Sequence, residues 1–324
     1  MEKTFRKNSR YFAMFLLVTI FLTSFSQTQA AASIIATVPI GNAPFSVDVN
    51  ELTNRVFVTI ANDNNVKVVD GLTNSIIATI PLGTRPQGVA VNSTTNRIYV
   101  TNFWSSTISV IDGTSNTVIF DFPVVGNPSQ ISVDPTAKRA YVSLYFAGAV
   151  GIIDLTNNTI IATLPTGTWP QGVTVNPVTH RAYVVNQASN TASVIANGAV
   201  LATIPVGDYP STAAVDTTAN KIYVTNYNGN SISVIDGVTN TVVNTFPLGG
   251  NPNGIKVVPP IGKMYVTQSG GNTFSELDLR TGRLLRFTTI GNDPGGIGIN
   301  TKTKRAYLSN YASNNLVVIT DPAL

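Results

Sequence analysis

A repeat of about 42 residues runs from residue 34 to residue 324, and it constrains the fold more than any other feature. The first copy begins with the segment Ile-Ile-Ala-Thr-Val-Pro, and related segments return 40 or 42 residues apart. The seven copies begin at Ile34, Ile76, Val118, Ile160, Val200, Val242 and Leu284. Because the copies are contiguous, they leave no room for a second domain within this range. Repeats of this length are typical of propellers and solenoids.

Each unit contains four short runs of strand-forming residues. In the second unit these runs occupy residues 76–81, 88–92, 97–102 and 107–112, and we name them d, a, b and c in chain order. Each run has the usual length of a strand, and the breaks between them are rich in Gly, Pro, Asn and Asp. Helical periodicity is absent from all seven units. The pattern therefore predicts an all-β fold, a seven-bladed β-propeller with four antiparallel strands per blade.

The order of the runs predicts how the ring closes. The repeat region begins with a d strand at residues 34–38 and ends with a c strand at residues 316–320. We expect the N-terminal d strand to complete the last blade, beside its c strand. Closure of this kind removes the exposed edges that an open array would present.

Composition excludes several kinds of site. The chain is 43% hydrophobic and only 11% charged, which excludes a disordered protein. It has no cysteine, so disulfides, thiolate nucleophiles and iron–sulfur clusters are excluded. The single histidine, His180, excludes a multi-histidine metal centre and is predicted to be a solvated turn residue. We predict no cofactor and no metal.

The first 32 residues have the layout of a secretory signal peptide. A basic segment carries most of the net charge of +4, so the high charge does not indicate a nucleic-acid partner. The apolar run at residues 11–25 is shorter than the ~20 residues that span a bilayer, and small residues follow at 30–32. We therefore predict a signal peptide at 1–32 and one propeller domain at 33–324. An uncleaved N-terminal anchor is the alternative.

The resulting expectation is a secreted, periplasmic or cell-surface protein with no membrane span after cleavage.

Two segments, Tyr99-Val100-Thr101-Asn102 and the identical residues 223–226, resemble the motif of the YVTN-family β-propeller proteins. The variants at 141–144, 183–186, 265–268 and 307–310 are similar to it, and residues 57–60 form the most degenerate copy. The resemblance implies exported or surface-layer proteins of bacteria and archaea. It implies no single activity, since propellers carry many functions.

Residues present in every unit are predicted to be structural. The aromatic residue of strand b is expected to pack between blades, and the proline before strand a to fix the crossing between them. Strand b also begins with a basic residue, and strand c ends with Asp in five units. Because b and c are antiparallel neighbours, we expect these charges to pair locally in those five units. The two units in which strand c ends with Ala196 or Thr320 are left without a local partner.

The loops that vary between units are predicted to carry function. Since strand direction alternates, the d–a and b–c loops must lie on one face of the ring. Both tryptophans are in these loops, among Asn and Gln side chains suited to sugar rings, peptides or stacked bases. The alternative is that the rings only cover the blade ends. The predicted ligand-binding residues are Arg85, Trp104, Tyr145, Phe146, Trp169, Tyr209, Tyr227 and Tyr311.

One further departure lies inside strand a. Asp48 and Lys256 occupy equivalent positions two blades apart, and Gly298 stands between them in the ring. A structural ion pair near the channel is a better interpretation than a catalytic one. No catalytic motif such as Gly-x-Ser-x-Gly occurs, so no catalytic residue is assigned.

The leading functional hypothesis is an exported, monomeric, non-enzymatic binding or scaffold protein. It would recognise an extracellular glycan, peptide or surface protein through its aromatic loops. A lactonase- or lyase-type enzyme is the first alternative, with a site at the channel mouth near Arg85, Asp293, Asp48 and Lys256. Binding of single-stranded nucleic acid by stacking on the aromatic loops is the second and is not favoured.

Overall fold

The computed structural model describes residues 32–324, which form 28 strands and one short 3-10 turn, Pro259–Ile261. The strands make seven four-stranded antiparallel sheets, and the innermost strand of each sheet packs against that of the next. The last innermost strand packs against the first, so the sheets form a closed ring. The predicted seven-bladed propeller is confirmed. No helix within the described range is long and apolar enough to cross a membrane.

The strands run from the channel outwards in the order a, b, c, d. In blade 1 they are β2 (Pro44–Asn50), β3 (Arg55–Ile60), β4 (Asn65–Asp70) and β5 (Ile76–Pro81); in blade 2, β6 (Pro86–Asn92), β7 (Arg97–Asn102), β8 (Thr107–Asp112) and β9 (Thr117–Pro123); in blade 3, β10 (Pro128–Asp134), β11 (Arg139–Leu144), β12 (Ala149–Asp154) and β13 (Thr159–Pro165); in blade 4, β14 (Pro170–Asn176), β15 (Arg181–Asn186), β16 (Thr191–Ala196) and β17 (Ala199–Pro205). In blade 5 they are β18 (Pro210–Asp216), β19 (Lys221–Asn226), β20 (Ser231–Asp236) and β21 (Thr241–Pro247); in blade 6, β22 (Pro252–Val258), β23 (Lys263–Gln268), β24 (Thr273–Asp278) and β25 (Leu284–Thr289); in blade 7, β26 (Pro294–Asn300), β27 (Arg305–Asn310), β28 (Asn315–Thr320) and β1 (Ser33–Pro39).

The N-terminal strand closes the ring as predicted. It pairs antiparallel with β28, and the register places Ser33 opposite Thr320 and Val38 opposite Leu316. Ala36 and Val38 pack against the core of that junction. The last blade is therefore built from both ends of the repeat region, which is why the ring does not open into a solenoid.

The aromatic residue of strand b is buried between blades in every unit. Its exposed fraction is between 0% and 3% at Phe57, Tyr99, Tyr141, Tyr183, Tyr223, Tyr265 and Tyr307. Tyr307 of blade 7, for example, lies in one apolar cluster with Val47 and Val56 of blade 1. The predicted packing role is confirmed, and each junction has its own small core.

The hydroxyl two residues after this aromatic residue links each blade to the next. Thr101 accepts a hydrogen bond from the Gly88 amide of its own blade at 2.8 Å and donates to the Ser129 carbonyl of the next at 2.5 Å. Six blades have this link, with donor–acceptor distances of 2.5–2.8 Å, from Thr59, Thr101, Ser143, Thr225, Thr267 and Ser309. In blade 4 the position is Val185, which has no hydroxyl.

The basic residues at the start of strand b follow the predicted pairing only in part. Arg97 pairs with Asp112, and Lys221 lies 3.9 Å from Asp236. Three others donate to the carbonyl of the glycine after strand c in the next blade: Arg55 to Gly113, Arg181 to Gly237 and Arg305 to Gly71. The predicted local pair is therefore not made at Arg55, whose side chain crosses the junction instead of meeting Asp70. Arg181 and Arg305 belong to the two units in which strand c does not end with Asp, and no local pair was predicted for them.

The aspartates at the end of strand c, which were predicted to pair with the basic residues, also accept hydrogen bonds within the turn that follows. Asp70 Oδ1 accepts hydrogen bonds from the backbone amides of Leu72 and Thr73, both at 2.9 Å. The amide of Thr73 is the main reason why the pKa of Asp70 lies below its ordinary value. These aspartates thus hold the turns in shape.

The C-terminus supplies a charged replacement for a turn that blade 7 lacks. Two strand b tyrosines donate to a turn carbonyl of the next blade, Tyr223 to Leu279 at 3.2 Å and Tyr307 to Gly71 at 3.1 Å. Blade 7 has no c–d turn, because its d strand comes from the N-terminus. There Tyr265 donates to Asp321 Oδ2 at 2.6 Å, and Lys263 lies 3.1 Å from the same oxygen.

Deletion of residues 33–39 should strongly destabilise the protein. It would remove the partner of β28 and uncover apolar side chains of the closing junction. With roughly 200–300 Å² uncovered at ~25 cal/mol per Å², the loss is about 5–8 kcal/mol as an upper bound. Chemical denaturation of the truncated and complete domains measures it, and an unchanged midpoint would contradict the closure described here.

The interblade hydroxyl should be worth about 1–2 kcal/mol at a buried junction. Thr101→Val keeps the shape of the side chain but removes both hydrogen bonds, so we expect a loss of that size in the free energy of unfolding. Val185→Thr makes the reverse change at the one junction without the hydroxyl, and it should be neutral or stabilising. Equal losses in both variants, measured by urea denaturation, would show that the hydroxyl is not a link.

Candidate functional site

The variable loops place all eight predicted residues on one face of the ring. Arg85, Trp169 and Tyr209 are in d–a loops, directly before the first residue of strand a. The other five follow strand b in b–c loops: Trp104, Tyr145, Phe146, Tyr227 and Tyr311. We call this side of the ring the loop face.

Four of the eight residues form one aromatic cluster at blades 2 to 4. Tyr145 stacks on Trp169 with 5.7 Å between ring centroids and 14° between planes. It also meets Phe146 edge-on at 5.1 Å, and Phe146 lies 6.3 Å from Trp104. Phe103, which is 6% exposed, contacts Trp104 at 4.8 Å and anchors the cluster from below. We call these five residues the aromatic cluster.

The cluster presents large ring surfaces to solvent. Trp104 is 55% exposed, Phe146 is 57% exposed and Trp169 is 40% exposed. Tyr145 is held more deeply, with its hydroxyl 3.3 Å from Gln187 Oε1. Burial, and then the neighbouring Tyr209 hydroxyl, raise the pKa of Tyr145, so this phenol is neutral at physiological pH. The three exposed rings of the aromatic cluster pack on buried residues such as Phe103. They form an exposed apolar surface of the kind found at binding sites.

Trp169, Arg85 and Tyr209 have a backbone conformation that bulky residues rarely adopt. Their φ angles are +55°, +57° and +52°, in the left-handed region. The equivalent residues of the other blades are smaller or better suited to it: Ala43, Asn127, Asn251 and Asp293. A bulky residue held in this region carries a strain of about 1–3 kcal/mol, and such strain clusters at functional sites.

The two asparagines at this position make an interblade hydrogen bond that the bulky residues do not make. Asn127 Nδ2 donates to the Phe103 carbonyl of the preceding blade at 2.8 Å, and Asn251 Nδ2 donates to the Tyr227 carbonyl at 3.0 Å. Within residues 32–324, the Trp169 side chain makes no matching hydrogen bond to the Tyr145 carbonyl. Its indole is instead stacked on the Tyr145 ring, at the surface of the loop face.

The remaining predicted aromatic residues form two separate pairs. Tyr209 and Tyr227 lie 6.3 Å apart beside the cluster, and Tyr311 meets Phe45 edge-on at 6.2 Å. Burial, and then the charge of Asp293, raise the pKa of Tyr227. The eight predicted residues are therefore one cluster and two pairs, rather than a single continuous platform.

The central channel opens at the same face. It encloses a cavity of about 510 Å³ lined by strand a of every blade, a volume typical of small-ligand sites. Of the eight predicted residues, only Arg85 and Tyr311 line it. Sequence reasoning left Phe45 and Gln171 out of the predicted site, although both lie at the mouth. Each directly follows the proline that is present in every unit, and this position in the sequence could have identified both residues.

Deeper in the channel lies the ion pair anticipated from the sequence. Lys256 Nζ is 3.7 Å from Asp48 Oδ1, and Asp48 Oδ2 accepts a hydrogen bond from the Val91 amide at 2.8 Å. Gly298 stands between the two blades, where an added Cβ would lie 2.8 Å from Val49. The pair thus joins blades 6, 1 and 2 across the channel wall, which is a structural arrangement.

The opposite face carries the histidine. His180 Nδ1 lies 2.7 Å from Asp134 Oδ2, and half of its side chain is exposed. Burial raises the pKa of Asp134. The hydrogen bond from the Ala137 amide and the contact with His180 lower it by more, so this pKa lies below its ordinary value. The predicted position in a solvated turn is confirmed, and the ring in addition bridges blades 4 and 3, which was not predicted. Among residues 32–324, no three His, Asp or Glu side chains are grouped as metal ligands.

Comparisons with known proteins identify the fold alone. No family model matches the sequence, and no curated protein matches it. Among solved structures, the chain is similar to hydrazine synthase of Kuenenia stuttgartiensis, with a TM-score of 0.78 and 21% identity. The match covers 92% of this chain and 98% of that one, so it extends over the whole propeller. At this identity the likeness concerns architecture and not activity.

Proposed function

We propose that this protein is an exported binding module whose loop face recognises an extracellular glycan. The observation that carries the proposal is the set of three exposed rings within the aromatic cluster, Trp104, Phe146 and Trp169. Trp104 lies beside Phe146, and Tyr145 connects Phe146 to Trp169. A pyranose ring has an apolar C–H face that packs on an aromatic ring, and aromatic residues supply large apolar contact in a fixed geometry. A peptide or a surface protein is the alternative ligand of the same surface.

The polar groups near the cluster favour a neutral, hydroxyl-rich ligand. Gln130, Gln171 and Asn253 line the channel mouth, and each amide both donates and accepts hydrogen bonds. Arg85 is the only cationic side chain among the eight predicted residues. Such a surface has little to attract a polyanion, which supports a glycan over a single-stranded nucleic acid.

The strained backbone of Trp169 supports a role beyond packing. Asn at this position is tolerated by the left-handed conformation and bridges two blades, as Asn127 does in blade 3. A tryptophan gives up that bond and accepts the strain, yet 40% of it remains exposed. An exposed ring that is unfavourable for the fold is best explained by a ligand.

A lactonase- or lyase-type enzyme is the second candidate, and one observation favours it. The four residues suggested for such a site, Arg85, Asp293, Asp48 and Lys256, all line the same cavity. The Asp48–Lys256 pair is already engaged with the Val91 amide, however, and this supports a structural use of the pair.

The proposed location follows from residues 1–32, of which 1–31 lie outside the described residues. The proposal includes export through a cleaved signal peptide and a relationship to the YVTN-family propellers, which rests on residues 99–102 and their copies.

Export should leave a mature N-terminus between Ala31 and Ser33, since small residues precede these positions. N-terminal sequencing of protein recovered from the periplasm or medium of a bacterial host measures it. Recovered material that still begins at Met1 would contradict cleavage and favour an uncleaved anchor.

Trp169→Asn should separate ligand binding from folding. Binding of a hit from a glycan array should weaken by about 5–150-fold, equivalent to about 1–3 kcal/mol, as expected for truncation of a central ring. Stability should stay within about 1 kcal/mol of the parent or rise, because Asn suits the left-handed backbone. Calorimetric titration and thermal melting measure the two effects.

Arg181→Ala is the matched control on the opposite face. It should leave glycan affinity unchanged and lower stability slightly, since Arg181 donates to the Gly237 carbonyl at 2.6 Å. Binding lost in Arg181→Ala and retained in Trp169→Asn would move the working surface to the other face. Turnover of lactones that is lost in Asp48→Asn would favour the enzyme instead.

A further inference from the structure

On the face opposite the loop face, most blade junctions are closed by one repeated side-chain contact. The last residue of strand a meets the residue just before strand b of the next blade. The contact distances are 2.8 Å for Asn50–Asn96, 2.7 Å for Asp134–His180, 2.8 Å for Asn176–Asn220 and 2.8 Å for Asn300–Asn54. In each pair a buried polar side chain is satisfied by the neighbouring blade.

The junction between blades 5 and 6 lacks the partner for this contact. Asp216 occupies the strand a position, but the residue before strand b in blade 6 is Gly262. Asp216 is only 5% exposed. Its Oδ1 accepts hydrogen bonds from the amides of Thr218 at 2.9 Å and Ala219 at 3.0 Å. Within residues 32–324, its Oδ2 has no hydrogen-bond or ion-pair partner.

A groove of about 640 Å³ opens where the missing side chain would lie. Asp216 and Gly262 both line it, and its apolar wall includes Val243, Phe246 and Leu279. The carboxylate is therefore a buried acceptor at the end of a largely apolar groove between two blades.

Strand b of blade 5 begins with Lys, whereas strand b of blade 4 begins with Arg. At the preceding junction Arg181 reaches across to the Gly237 carbonyl at 2.6 Å. In blade 5 the equivalent residue is Lys221, whose ammonium lies 3.9 Å from Asp236 of its own blade. The other charged groups of the groove are Asp278 and Arg280 of blade 6.

The remaining polar groups at the groove are already engaged. Asp278 Oδ1 accepts from the amides of Arg280 at 3.1 Å and Thr281 at 2.8 Å. Tyr223 donates to the Leu279 carbonyl, and burial together with the charge of Asp216 raises its pKa to about 12.

We infer that this groove binds a primary ammonium carried on an apolar body. The ammonium donates to Asp216 Oδ2 in the place that His180 takes at Asp134. The apolar body lies against Phe246, Val243 and Leu279. A free amine and a lysine side chain present the same chemistry. The inference does not rest on the proposed function, because the groove and the loop face are on opposite sides of the ring.

The test uses benzylamine as the probe of the folded protein, with benzyl alcohol as its neutral counterpart. We expect millimolar or tighter binding of benzylamine by calorimetric titration, at least tenfold tighter than that of the alcohol. A short peptide, acetyl-Ala-Lys-Ala-amide, distinguishes a lysine side chain from a free amine. Tighter binding of the peptide than of benzylamine would assign the site to protein partners.

Three variants locate the binding. Asp216→Asn removes the charge in the same shape and should weaken benzylamine binding at least tenfold. Asp134→Asn is the matched control, because His180 already occupies that carboxylate, and it should leave binding unchanged. Gly262→Asn restores the side chain found at other junctions and should abolish binding.

Gly262→Asn also keeps the test decisive if Asp216→Asn fails to fold. Gly262 has φ +64°, close to the +49° of Asn220, and an added Cβ would meet no atom within 4 Å. The variant should therefore fold with an equal or higher melting temperature. Undetectable benzylamine binding, equal binding of benzyl alcohol, or unchanged binding in Gly262→Asn would each overturn the inference.

Discussion

Neighbouring blades contact each other mainly through strands a and b, and their outer strands make few contacts. The ring therefore depends on the contacts between these inner strands. The strand b hydroxyl meets this need with a single atom. Thr101 accepts from the strand a amide of its own blade and donates to a strand a carbonyl of the next. The aromatic residue two positions earlier fills the apolar space beside that link. Ser309 makes the same bond to Phe45, so the closing junction is chemically like the others although its strands come from opposite ends of the repeat.

This constraint explains how much the sequence could reveal. Strand number, blade number and closure were predictable because the same inward-facing residues recur in every unit, and a recurrent pattern identifies its own register. Contacts between blades were harder to predict from the sequence. Arg55 was assigned to Asp70 in its own hairpin, yet it bonds to Gly113 of the next blade. His180 was predicted to be a solvated turn residue, and its contact with Asp134 was not predicted. Both contacts are made by side chains that cross a junction, and a one-blade pattern carries no information on what the neighbouring blade presents there.

The candidate site was predictable to a similar degree. Strand alternation placed the variable loops on one face, and the eight chosen residues do lie there. Their grouping was not predictable, because it depends on rotamers and on residues such as Phe103 that pack beneath the exposed rings. Nor could the sequence indicate that Trp169 has a left-handed backbone. Only comparison with Asn127, which has the same conformation and uses its side chain to bridge two blades, shows what the tryptophan gives up.

A repeated fold offers an internal reference for function. Where equivalent positions recur around the ring, those that share a contact show what the position can do for the fold, and a departure from it invites another explanation. Trp169 leaves an interblade hydrogen bond unmade and exposes a ring. Asp216 leaves a buried acceptor without the neighbour that Asp134 has in His180. The two departures lie on opposite faces and differ in chemistry, one apolar and planar, the other anionic and recessed. Asn at position 169 and Asn at position 262 would each suit the local backbone, so the fold itself requires neither departure. These two departures are the observations from which the glycan-binding loop face and the ammonium-binding groove are proposed.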